Sequence, residues 1–148
     1  MKYIIITLFL LLFSCVSTDI NPNKRNFSYM EADGMGVSLE MIDNNKFIFS
    51  IVNEKNEVEK ISLKKVNYFT LFLRGSDGKI LRNRKIEVKK RNSILYLKPN
   101  TPINYTFNLE SKELEEGKRF TLLVKPNFLG KKYKNCVPSV VIEKKENK

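Results

Sequence analysis

Apolar and polar residues alternate along most of the chain from Val37 onward, and short polar segments separate the alternating stretches. A period of two residues is typical of a β-strand with one face in a core and the other in solvent. The pattern is clearest over residues 103–109, where Ile, Tyr, Phe and Leu alternate with Asn, Thr and Asn. We predict strands over residues 37–42, 47–51, 61–63, 68–73, 80–88, 94–97, 103–109, 120–124 and 137–142.

Turn-forming residues lie between these stretches. The segment Gly75-Ser76-Asp77-Gly78-Lys79 has the glycines that a tight hairpin requires, and Lys98-Pro99-Asn100-Thr101-Pro102 has two prolines. Short strands at intervals of about ten residues, with turns between them, favour an antiparallel sandwich over a helical or mixed fold. We therefore predict an all-β fold, a single antiparallel sandwich of about seven to eight strands.

One stretch adds a family resemblance to this prediction. Leu114, Gly117 and Phe120 follow the alternating residues 103–109 and precede an apolar run. This arrangement resembles the corner between the fifth and sixth strands of immunoglobulin-like and fibronectin type III domains. Phe120 stands where those domains often have tyrosine. The resemblance implies that the sandwich is immunoglobulin-like.

A second resemblance is to the bacterial intracellular proteinase inhibitor family, which is also an immunoglobulin-like sandwich. The similar parts are Gly78-Lys79-Ile80, the turn over residues 97–102 leading into Tyr105, and Gly117-Lys118-Arg119-Phe120. This resemblance implies the same fold and an alternative function, protease inhibition. An inhibitor needs an exposed loop with hydrophobic residues, and residues 128–129, Phe-Leu, are the best candidate.

The amino-terminal segment indicates export. Residues 4–13 are apolar and follow a lysine, but the run is about half the length that a membrane-spanning helix needs, which is typical of a secretion signal. Leu12-Phe13-Ser14-Cys15 resembles the lipobox of bacterial lipoproteins, although Phe13 is bulkier than the usual residue. In that family the cysteine is lipidated and the signal is removed in front of it. The alternatives are an ordinary signal peptide and an uncleaved anchor.

The resemblance to lipoproteins divides the chain into three parts. We predict a signal peptide over residues 1–14, a lipidated amino terminus and tether over 15–34, and the β-sandwich domain over 35–148. The tether is polar, but its aromatic residues Phe27 and Tyr29 could instead dock on the domain as a first edge strand. A lipid at Cys15 implies anchoring to a membrane of the bacterial cell envelope, with the outer membrane or cell surface favoured.

Lipidation of Cys15 would leave Cys136 as the only cysteine without a lipid. Cys136 precedes an apolar run, so we predict that it is buried as a small hydrophobic residue rather than exposed as a reactive thiol. Without lipidation, a disulfide between Cys15 and Cys136 is the alternative.

The chain carries 27 Lys and Arg against 16 Asp and Glu, a net charge of +11. Residues 74–98 alone contain nine basic and two acidic residues, a local charge of +7. Arginines can contact carboxylate, sulfate or phosphate groups through two hydrogen bonds. We predict an acidic protein, glycan or lipid headgroup as partner, and no nucleic acid. The candidate binding residues are Arg82, Arg84, Lys85, Lys89, Lys90 and Arg91.

A second interpretation of this basic stretch is structural. Lysines and arginines on an edge strand prevent its aggregation with other strands. Arg82 and Arg84, however, have the same parity as Ile80 and Ile86, so a regular strand would turn them toward the apolar face. Either a bulge changes the register of the strand or the arginines lie at the margin of the sheet.

Catalytic chemistry has little support in the sequence. The chain has no histidine, which removes the commonest general base and most zinc sites. No acidic pair, glycine-rich phosphate loop or Cys-x-x-Cys pair is present in a spacing that predicts a reaction. We expect no enzyme activity, no metal and no cofactor. The expected function is that of a lipid-anchored binding or adhesion module, and the alternative is a periplasmic accessory or protease-inhibitor-like protein.

Overall fold

The computed structural model describes residues 16–17, 26–43, 45–63, 66–88, 93–110, 114, 118–130 and 133–143. Within these residues, eleven β-strands form three sheets and no α-helix is present. The strands are β1 (Val16–Ser17), β2 (Phe27–Ala32), β3 (Met35–Asp43), β4 (Lys46–Asn53), β5 (Glu59–Ser62), β6 (Tyr68–Gly75), β7 (Ile80–Glu87), β8 (Ile94–Leu97), β9 (Ile103–Asn108), β10 (Arg119–Pro126) and β11 (Ser139–Glu143).

Two antiparallel sheets form the sandwich. The five-stranded sheet has the order β1-β2-β3-β4-β9, and the four-stranded sheet has the order β11-β10-β6-β7. A separate two-stranded ribbon pairs β5 with β8. The predicted all-β antiparallel sandwich is confirmed. The order β11-β10-β6-β7 is that of strands G, F, C and C′ in immunoglobulin-like sheets.

Each of the nine predicted strands has a counterpart, displaced by two residues or fewer at each end. The eleven described strands outnumber the predicted seven to eight: nine of them match the ranges predicted from the alternation, and β1 and β2 are additional. Of these, β1 is only two residues long, too short for a period of two to appear in the sequence.

Aromatic rings fill the space between the two sheets. The ring of Phe69 on β6 lies 5.0 Å from that of Phe49 on β4 and 5.0 Å from that of Tyr105 on β9. Phe128, which follows β10, lies 5.3 Å from Phe69 in an edge-to-face arrangement. Phe47 and Phe107 stack beside them. Burial of each such side chain contributes about 1.5–3 kcal/mol, so this cluster joins the sheets.

The sheet begins earlier than residue 35. Residues 27–32, which lie within the predicted tether, form β2 and pair with β3 along their whole length. Met30 and Ala32 pack against the core, which a solvated linker would not do. The tether predicted over 15–34 therefore does not extend over these six residues. The backbone of β1 pairs with β2 in turn, Val16 opposite Glu31.

The two lateral sides of the sandwich are joined differently. On one side, the backbone N–H of Ser139 on β11 donates to the hydroxyl of Ser28 on β2, at 3.3 Å. On the other side lie β7 and β9, the outermost strands of their sheets. The basic residues predicted to bind a partner belong to β7, so this side holds the candidate site.

Candidate functional site: the β7 edge

Strand β7 leaves a tight turn that follows β6. The backbone N–H of Gly75 donates to the carbonyl of Lys79 at 3.0 Å, and the N–H of Gly78 donates to the carbonyl of Gly75 at 3.0 Å. Gly78 has a φ of 80°, a conformation that other residues rarely adopt. The turn thus returns the chain antiparallel to β6. Strand β7 is the outermost strand on this side of the four-stranded sheet.

A bulge at Leu81 decides which way the side chains of β7 point. Leu73 of β6 pairs with Arg82, whereas its neighbour Arg74 pairs with Ile80, so Leu81 has no partner. Ile80 consequently moves to the outer face of the sheet, and both Ile80 and Leu81 are 53% exposed. Beyond the bulge, Arg82 lies on the same face as buried Leu73. The sequence offered a bulge in the strand or arginines at the margin of the sheet as alternatives. The structure shows both, with the bulge at Leu81 and the arginines on the outermost strand.

Arg84 connects the two sheets across this side of the sandwich. Its Nη2 donates a hydrogen bond to the backbone carbonyl of Asn108 at the end of β9, at 2.9 Å. Its Nη1 lies 3.8 Å from a carboxylate oxygen of Glu110. Both terminal nitrogens of the guanidinium thus contact groups of the protein itself. We therefore assign Arg84 a structural role, that of joining the two sheets.

A small depression lies beside these arginines. Four buried leucines line it together with Arg82, Asn83 and Arg84 of β7. The leucines are Leu71, Leu73, Leu109 and Leu122. The stems of the arginines thus cover apolar surface at the open side of the core, as long cationic side chains commonly do.

Arg82 and Lys85 present their charges to solvent. Both side chains are exposed. Among the described residues, neither forms a salt bridge, whereas Lys55, Lys79 and Arg119 each lie within 4.0 Å of a carboxylate. Lys85 Nζ lies 4.9 Å from the centre of the Tyr68 ring, which holds the ammonium over the outer face of β6. The two cations therefore flank Arg84 on opposite faces of one strand.

The other predicted site residues divide into two groups. Cys15, Lys89, Lys90 and Arg91 lie outside the described residues. Cys136 is 1% exposed, so its predicted burial is confirmed. Phe128 and Leu129 are 3% and 5% exposed, and the prediction that they form an exposed inhibitory loop is wrong, because both side chains belong to the core between the sheets.

The sequence did not reveal the partners of the candidate residues. Asn108 and Glu110 contact Arg84 only because β9, which is not adjacent to β7 in the chain, lies at the same side of the sandwich. Tyr68 contacts Lys85 through the pairing of β6 with β7. No local motif carries that information. The depression also depends on the position of the bulge, which is set by the turn and the pairing register together.

The described part of the chain shows no group of three or more His, Cys, Asp or Glu residues placed to hold a metal ion. Within the same part, no helix has the length and apolar character needed to cross a bilayer. No family model, no curated protein and no solved structure matches the chain. Function is therefore inferred from the chemistry of the β7 edge and of the amino terminus.

Proposed function

We propose that this chain is an exported bacterial lipoprotein, anchored through lipid on Cys15, whose sandwich binds an acidic partner through β7. The anchor is supported by Leu12-Phe13-Ser14-Cys15 and the apolar residues before it. The binding role is supported by the placement of Arg82 and Lys85.

The observation that carries the binding role is the exposure of two cations on an outermost strand. Arg82 and Lys85 lie three residues apart, protrude on opposite faces of β7, and have no carboxylate within 4.0 Å among the described residues. Glu87 is the only acidic residue on the strand. An acidic protein, glycan or lipid headgroup would supply the carboxylates, sulfates or phosphates that these cations lack.

Protease inhibition has less support than binding. The residues expected to enter a protease, Phe128 and Leu129, are buried in the core. Exposing them would remove Phe128 from its contact with Phe69, 5.3 Å between ring centres. The binding role requires no such rearrangement, because its residues are already at the surface.

The anchor is tested by mass analysis of the mature amino terminus together with protease digestion of intact cells. We expect an acylated Cys15 and loss of the domain from whole cells, which would place the sandwich outside. An acylated Cys15 in a protected domain would favour a periplasmic accessory role. An unmodified Cys15 would contradict the anchor.

The binding role is tested by charge neutralisation. The double variant Arg82→Gln/Lys85→Gln should weaken binding to dextran sulfate, polyglutamate or phosphatidylglycerol vesicles by about tenfold or more at low salt. Binding of the unaltered protein should fall as salt rises. Arg84 is left in place because its loss would disturb the contact with Asn108.

The matched control is Lys46→Gln/Lys98→Gln, which removes the same charge from exposed lysines outside β7. Equal losses in the two double variants would show that only net charge matters. Absence of binding to all three probes by the unaltered protein would contradict the proposal.

A further inference from the structure

One edge of β7 has backbone hydrogen-bonding groups that no described residue pairs with. The N–H of Val88 donates to the carbonyl of Asn67 at 2.8 Å, and these two residues continue the β6–β7 register. In an antiparallel pair, residues that bond to the partner alternate with residues that face away from it. The N–H and C=O groups of Asn83, Lys85 and Glu87 therefore point away from β6. No other described strand pairs with β7 on that side.

The neighbouring outermost strands differ from β7 in this respect. On β9, the carbonyl of Asn108 accepts a hydrogen bond from Arg84. On β11, the N–H of Ser139 donates to Ser28. Each of these strands thus has an edge group capped by a side chain. On β7, nothing described caps Asn83, Lys85 or Glu87.

The described part of this edge has a defined length. The bulge at Leu81 interrupts the ladder at one end, and at the other Val88, the last residue of the described stretch 66–88, bonds to the β6 side. Residues 82–88 rise about 20 Å at the usual spacing per residue, enough for an added strand of ordinary length.

Charge determines which strand can use this edge. A second copy of β7, paired antiparallel and centred on Lys85, would place lysine directly opposite lysine and set the two Arg84 residues diagonally across the other face. The edge therefore disfavours a copy of itself. An extended acidic segment added beside β7 would have Lys85 next to its outer face and Arg82 next to its inner face. Acidic side chains on either face of that segment would therefore lie near a cation.

We infer that β7 binds an extended acidic polypeptide by strand addition, with hydrogen bonds to the backbone of Asn83, Lys85 and Glu87. This inference rests on the proposed function and names the class of its partner. Backbone hydrogen bonds supply part of the affinity, and the two cations supply selection for acidic side chains. A glycan or a lipid headgroup could contact the cations but could not continue the ladder.

The test uses a peptide of alternating threonine and glutamate, as long as the 8 residues of β7. Its Kd is measured by calorimetry at low salt for two pairs of variants. Asn83→Pro removes an outward N–H, and Asn83→Thr keeps it. Glu87→Pro and Glu87→Thr form a second pair with equal charge. Proline is tolerated at N–H groups that face solvent on an outermost strand, so the fold should be retained.

We expect each proline variant to bind the peptide about tenfold more weakly than its threonine counterpart, the effect of roughly one net hydrogen bond. Amide hydrogen exchange provides a second measurement that does not depend on any variant. On peptide binding, protection should increase at Asn83, Lys85 and Glu87, whereas Arg84 and Ile86, whose N–H groups face β6, should change little.

The outcomes separate the two proposals. Equal affinities within each pair, with unchanged protection at the three outward amides, would overturn strand addition and leave an acidic partner bound through side chains. Tighter binding of dextran sulfate or phosphatidylglycerol vesicles than of the peptide would overturn it in the same way. Absence of binding to all acidic probes would remove both proposals.

Discussion

Asn53 is a buried polar residue that joins three segments. It is 1% exposed, and its Nδ2 donates to the carbonyls of Glu57 at 2.6 Å and Leu97 at 2.9 Å. Its Oδ1 accepts from the N–H of Lys55 at 3.1 Å. Since a buried amide is costly unless its hydrogen bonds are made, Asn53 fixes the turn after β4 and holds β8 against it.

Substitution of Asn53 should be among the most destabilising polar changes in the domain. Asn53→Ala leaves two carbonyls without their donor and should lower the free energy of unfolding by about 2–3 kcal/mol in urea titrations. Asn56→Ala, at an exposed position of the same turn, is the control. A cost below about 0.5 kcal/mol for Asn53→Ala would show that the buried amide contributes nothing to stability.

Tyr29 is held across its sheet by Gly36 and Glu54. A Cβ atom at Gly36 would lie 2.7 and 2.8 Å from carbons of the tyrosine ring, so glycine is needed there for close approach. The hydroxyl of Tyr29 donates to the Glu54 carboxylate. Burial raises the pKa of Tyr29 well above its ordinary value of 10.0, and the hydrogen bond and the charges of Glu54 and Glu31 raise it further.

The raised pKa of Tyr29 predicts a loss of stability in alkali. Above about pH 10 the unfolded chain releases the Tyr29 proton while the folded protein keeps it, so the stabilising contribution is complete below that pH and declines above it. The difference in unfolding free energy between the unaltered protein and Tyr29→Phe should be constant up to about pH 9 and decrease above pH 10. A constant difference up to pH 11 would contradict the shift.

At the scale of elements, β7 combines a structural and an exposed arginine two residues apart. Arg84→Gln should lower the unfolding free energy by about 1 kcal/mol, because it removes the ion pair to Glu110 and weakens the bond to Asn108. Arg82→Gln should change it by less than about 0.5 kcal/mol, since Arg82 has no such contact among the described residues. Urea unfolding of the two variants checks this, and equal effects would contradict the distinction.

The strands themselves were largely predictable from the sequence. Strand β9 was predicted over 103–109 and occupies Ile103–Asn108, because its alternation reflects directly which side chains face the core. Strand β2 was less clear, since Phe-Ser-Tyr-Met-Glu-Ala follows a polar segment and has only partly buried positions. The alternation of apolar and polar residues therefore predicts a strand best where the other sheet fully covers one of its faces.

The site was less predictable than the strands. Arg82, Arg84 and Lys85 were identified from charge density, but their different roles depend on the bulge at Leu81 and on residues of β9. The Cβ parity of a strand gives its faces only while its register is regular. Because Leu81 has no partner on β6, charge density alone does not give the different roles of Arg82 and Arg84, and the pairing register is also needed.

At the scale of the whole molecule, the sandwich is closed by contacts at both lateral sides. Ser28 and Ser139 join β2 to β11, Arg84 joins β7 to Asn108, and the aromatic core lies between these two contacts. The two sides differ in chemistry, because one contact is neutral and the other is charged. A partner that competes for Arg84 would therefore loosen one side and leave the other unchanged.

The pairing of β1 with β2 determines how the domain would stand on a membrane. Val16 lies opposite Glu31, near the turn after β2, so a lipid on Cys15 would be attached one residue from the sheet. The turn between β6 and β7 lies at the opposite end of the sandwich, since Leu73 near the end of β6 lines the same depression as Leu109 after β9, whereas the turn after β2 lies beside the other ends of β4 and β9. An attachment so close to the sheet would leave the domain little reach from the bilayer and would favour one orientation. Strand β7 would then begin at the far end of the sandwich and run back toward the bilayer, with its edge facing sideways, toward neighbours on the same surface.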